Sequence, residues 1–124
     1  MALDPYMKKA VLDWMLGGAA ATRPVGHFIN YATGTPNADG ASNGPITSRK
    51  SILFAVAASP TGSATHSAAV SGGTCSAIAT VQGWNIYDAA VNGNRLLYGT
   101  CNQLGCASGD VIRMAAGSCK IILS

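Results

Sequence analysis

The chain has 124 residues, of which 48% are hydrophobic and only 10% charged, with 15 glycines and a formal net charge of +3. That length fits one domain and leaves no room for a second independent core, and that hydrophobicity excludes a disordered chain. So few ions also argue against a freely soluble monomer, whose surface carries more charge. They favour a surface buried in an assembly, where little desolvation is needed.

The opening segment predicts a helix. Asp4 suits the N-cap, Pro5 the first helical position, and Gly17-Gly18 stops the run. Met7, Val11, Trp14 and Met15 recur at helical spacing, with Lys8, Lys9 and Asp13 on the other side. This helix either covers one end of the β domain or docks on a neighbouring subunit, because Trp14 and two methionines make a large, adaptable apolar face. Met7, Val11, Trp14 and Met15 are therefore the interface candidates. An acid so early, and no long apolar run before Gly17, do not read as a secretory signal. No stretch has the length of a membrane span, so the expectation is synthesis in a cytoplasm, export by another route such as lysis, and no membrane partner.

From Arg23 onward the pattern is β. Strands are predicted over Val25–Ala32, Ser51–Ala58, Thr65–Ser71, Cys75–Val81, Trp84–Asp88, Leu96–Cys101, Asp110–Ala115 and Ser118–Leu123. Turn signals such as Ser71-Gly72-Gly73, Asn92-Gly93-Asn94 and Ser108-Gly109-Asp110 separate them. The final pair reads as a hairpin around Ala116-Gly117. Residues 33–48, rich in Gly, Pro, Ser, Thr, Asn and Asp, read as a long surface loop. The fold expected is all-β: a two-sheet β-sandwich, jelly-roll or immunoglobulin-like, with one N-terminal α-helix. Residues 1–18 form the helical arm and 19–124 the sandwich.

Chemistry is sparse. A hydrolase needs a nucleophile, a base and an orienting group, and the chain offers two isolated histidines, His27 and His66, both in strand-like settings. Its acids are Asp4, Asp13, Asp39, Asp88 and Asp110, with no Glu; Asp88 and Asp110 sit at turns, where a carboxylate binds nearby amides. GxSxG, phosphate-loop and HExxH motifs are all missing. No catalytic residue and no cofactor is expected. The eight basic residues are scattered without interleaved aromatics, which argues against nucleic acid. The four cysteines, Cys75, Cys101, Cys106 and Cys119, lack the close pairs of a zinc site. They are disulfide candidates instead. Cys106, in a Gly-rich segment expected to be exposed, is the first choice, bonding to another chain after release from the reducing cytoplasm. A local Cys101–Cys106 bridge is the weaker option, because it closes a tiny loop.

The second half carries a recognisable series: Trp84-Asn85-Ile86-Tyr87-Asp88-Ala89-Ala90, Gly93-Asn94-Arg95-Leu96-Leu97-Tyr98-Gly99, Gly109-Asp110-Val111 and Ala115-Ala116-Gly117. Together with a helix ending in Leu16-Gly17-Gly18, it resembles a family of small tailed-bacteriophage virion proteins of the tail-fibre-like or head-decoration kind. The resemblance covers roughly residues 5–33 and 83–124; the four cysteines and the region around Ser48-Arg49-Lys50 depart from it. It implies a structural protein of the virion with no catalytic residues. The first reading is a capsid decoration or cement protein tying shell subunits together, with the major capsid protein or neighbouring decoration subunits as partners, in a homo-oligomer or lattice. The alternative is a tail-fibre or baseplate module contacting the host surface. A virion-associated cell-wall hydrolase is the least favoured.

Overall fold

The computed structural model describes residues 2–19, 24–34, 47–54, 63–65, 70–114 and 120–122. Ala2–Leu3 form a short strand, β1, and Pro5–Met15 the only helix among them, α1. The expected signals set its ends. Asp4 stands extended at the N-cap and its Oδ1 accepts the Tyr6 amide at 3.0 Å, with proline following at the first position. Leu16 closes the last turn onto the Leu12 carbonyl, and Gly17 takes φ +83°, the left-handed conformation that glycine adopts without strain.

Among the described residues eight further strands follow: β2 (Phe28–Ala32), β3 (Lys50–Ser51), β4 (Ser63–Thr65), β5 (Val70–Thr74), β6 (Ala79–Tyr87), β7 (Arg95–Cys106), β8 (Val111–Met114) and β9 (Lys120–Ile122). The all-β expectation, with one N-terminal helix, holds. All pairings are antiparallel: a five-stranded sheet in the order β1-β7-β6-β2-β3, and two ribbons, β4-β9 and β5-β8. Two expectations need correction. The break expected at Gln82-Gly83 is absent, because Gly83 pairs with both Ala32 and Thr100, and β6 runs through it. The terminal hairpin is the second: among the described residues β8 pairs with β5 and β9 with β4, not with each other.

The β6–β7 hairpin is the spine. Its ladder slips twice, so that β7 carries two extra residues between Thr100 and Leu104 and one between Arg95 and Leu97. Such bulges bend a strand and re-aim its side chains. Trp84 lies across from Gly99, and a Cβ on that glycine would sit 2.6 Å from the indole Cζ2, so the ring packs directly on backbone. The core joins Ile29, Ile52, Val81, Ile86, Leu96 and Leu97 to Cys75, Cys106 and Ile112, which brings the β5–β8 ribbon onto the main sheet. Ile86 and Leu97 are buried, while Trp84 packs half-buried against the cluster.

A chain of polar side chains crosses this sheet. Arg95, 8% exposed, donates from Nε to Asp4 Oδ2 at 2.7 Å and from a guanidinium nitrogen to Asn85 Oδ1 at 3.2 Å. Asn85 in turn donates to Asn30 Oδ1 at 3.2 Å. The guanidinium also lies 4.3 Å over the Tyr98 ring. With the Asp4 amide donating to the Leu96 carbonyl at 2.9 Å, the start of the helix is fastened to β7 by backbone and by charge.

Candidate functional site

The expected helix face is divided in two. Met7 and Val11 are half-buried, Met7 packing against the core. One further turn along the same stripe, Trp14 is 69% exposed, and its neighbour Met15 is 64% exposed. Helical geometry puts Met7, Val11 and Trp14 on one stripe, so the first two turns dock on the protein's own sheet and the last overhangs it. Leu12 and Leu16 are exposed as well. Leu16 escaped the sequence reading because it stands in the Leu-Gly-Gly terminator, yet a terminator protruding from the fold presents its last apolar residue to solvent. On the opposite side Lys9 pairs with Asp13, four residues on, an exposed pair that contributes little.

The 88–94 connection between β6 and β7 is rigidly built. Asp88 Oδ1 accepts the Asn94 amide at 2.7 Å, and Oδ2 accepts the Asn94 side chain at 3.2 Å. Asn92 and Gly93 both take positive φ, 58° and 72°. Arg49 reaches over from beside β3, lies 3.4 Å over the Tyr87 ring, and donates to the Ala89 carbonyl at 2.9 Å and to that of Asn92. Asp110 holds the β7–β8 turn in the same way, accepting the Ala107 amide at 2.8 Å. Both carboxylates thus bind backbone amides, as their turn positions predict. His27 packs edge-on against Phe54, ring centroids 5.8 Å apart; His66 lies outside the described residues. Among the described residues, no three His, Cys, Asp or Glu side chains come together to hold a metal ion. No helix there is long and apolar enough to cross a membrane.

The cysteines sort differently from expectation. Cys106 is 8% exposed, not at the surface, because β7 continues through the Gly-rich segment: Gly105 pairs with Thr80 and Cys106 with Ala79. Cys101, at the bulge, is the exposed thiol among the described cysteines. Cys101 and Cys106 stand on one strand, β7, Cys101 within the bulge between Thr100 and Leu104 and Cys106 at the strand's end. Cys75, 2% exposed, lies in the same buried cluster as Cys106. Burial first, then the neighbouring Cys106 thiol, then Asp110, push the Cys75 thiol up to about 11 from 9.0. Cys119 lies outside the described residues.

Comparison with known proteins fits this chemistry-poor, adhesive surface. The family model described as Podophage GP4 fiber I protein gp80 matches residues 2–122. No curated protein matches the sequence. The match covers nearly the whole chain, and the chain belongs to this family of podophage fibre proteins.

Proposed function

We propose that the protein is a structural module of a podophage tail fibre, synthesised in the host cytoplasm and built into the virion. The family match across residues 2–122 carries this reading, and it favours the tail over the capsid-cement role first expected from low charge and adhesive surfaces. The partners are other virion proteins, neighbouring copies of the chain among them. The first turns of α1 anchor the helix to its own sheet. Trp14 and Met15 are offered to a neighbour, since a large aromatic beside a flexible aliphatic is what dominates contact energies. The role is one of gripping, not turnover. The described carboxylates are spent on turns (Asp88 and Asp110), on the helix cap and Arg95 (Asp4), and on Lys9 (Asp13).

Copy number separates fibre from cement. Quantitative mass spectrometry of purified virions, scaled to the major capsid protein, should find a few dozen copies or fewer, travelling with tails when heads and tails are separated. Hundreds of copies in the head fraction would replace this reading with the shell-linking one.

A further inference from the structure

We propose that Cys75 and Cys106 close an intrachain disulfide once the protein leaves the reducing cytoplasm, fastening the β5–β6 connection to the end of β7. The two cysteines lie in one buried cluster. Their backbones are already clamped together. The Cys75 amide donates to the Asp110 carbonyl at 2.7 Å, and the Cys75 carbonyl accepts the Gly109 amide at 2.9 Å. That turn begins immediately after Cys106 and is closed by Asp110 donating to the Ala107 carbonyl at 3.0 Å. Cys75 is therefore held against the turn that Cys106 leads into, so the S–S bond needs little backbone movement. Cys101, on the same strand as Cys106, is exposed.

The oxidant is a low-molecular-weight disulfide of the oxidising medium. One protein thiol loses its proton and attacks a sulfur of the small disulfide, breaking that S–S bond and releasing one small thiol. The second protein thiol then attacks the mixed disulfide, the protein S–S bond forms, and a second small thiol leaves. The protein loses two protons and two electrons, and the small disulfide gains them. The raised Cys75 thiol supplies little thiolate near neutral pH, so closure in the folded protein is slow and accelerates with pH. The same burial shields the finished bond from reductants. The cross-link ties the β5–β8 ribbon to the central sheet, stiffening the module whether it sits in tail or shell.

The test uses full-length protein purified under reductant, then transferred to glutathione disulfide. After low-molecular-weight adducts on other thiols are accounted for, the intact mass should fall by two hydrogens. Cleavage after Leu104, which separates Cys101 from Cys106, should yield a linked peptide joining Cys75 to Cys106. Tm should rise by about 10 °C for a loop of this size, a gain absent from Cys75→Ala and Cys106→Ala. Both thiols remaining alkylatable in denaturant after oxidation would overturn the proposal, as would linkage of either to Cys101, to Cys119 or to a second chain. The peptide map is read on the natural sequence and stands even where a variant fails to fold.

Discussion

At Gly93 the backbone takes φ +72°, and a Cβ would lie 2.3 Å from Asp88 Oδ1 and 2.8 Å from the Ala89 Cβ. Both the conformation and the space exclude a side chain. Gly93→Ala should cost about 1–3 kcal/mol in urea denaturation, through left-handed strain and loss of the Asp88 clamp. Gly105 is the control: nothing lies within 4 Å of its added Cβ and its φ is ordinary, so Gly105→Ala should stay within about 0.5 kcal/mol. Equal losses at both would mean that the 88–94 turn is not held as described. Single residues at turns were the most legible part of the sequence. Asp4, Asp88 and Asp110 announce amide-binding by type and position, and each does so. Cys106 misled because Gly105 and Gly109 flank it like a turn, whereas cross-strand pairing to Ala79 decides its burial. Pairing is a long-range fact, and composition does not contain it.

Elements join through residues that sequence reading assigned one role each. Asp4 caps α1 with Oδ1 and neutralises Arg95 with Oδ2, so one carboxylate sets both the start of the helix and its attachment to β7. Asp4→Ala removes the cap, about 1 kcal/mol, and strips a buried guanidinium of its counter-charge, about 3–5 kcal/mol. Asp4→Asn keeps a capping oxygen and loses only the charge, so it should retain most of the deficit in urea midpoints. An Asp4→Asn variant as stable as the natural protein would show that capping, not the ion pair, fixes the helix. The helix itself was legible because periodicity and caps are local. Arg95 was not, since an arginine after Asn-Gly-Asn reads as a solvated strand end until the fold brings Asp4 ninety-one residues back to it. The terminal hairpin failed for a related reason. Ala116-Gly117 is a plausible turn, yet β8 and β9 find partners in β5 and β4, some forty to sixty residues earlier.

Across the whole molecule, eight basic and five acidic residues in 124 leave a surface dominated by small polar and apolar groups. Several of those ions are internal commitments: Asp4 with Arg95, Asp88 and Asp110 with backbone amides, Arg49 with the 88–94 carbonyls. Trp14, Met15, Leu16, Leu53, Ile78 and Val91 meanwhile stand more than half exposed. An attachment made by such a surface draws on apolar burial, which salt does not screen, whereas one made through phosphates loses about 10³–10⁵ in affinity between 50 and 200 mM salt. Binding of the purified protein to virion particles lacking it should therefore change by less than about threefold over that range. Trp14→Asp should weaken it by about tenfold or more, as expected of an aromatic anchor, while leaving Tm nearly unchanged because that indole is 69% exposed. A steep salt slope with an indifferent Trp14 variant would instead locate the grip in the scattered lysines and arginines, and the helix overhang would lose its role.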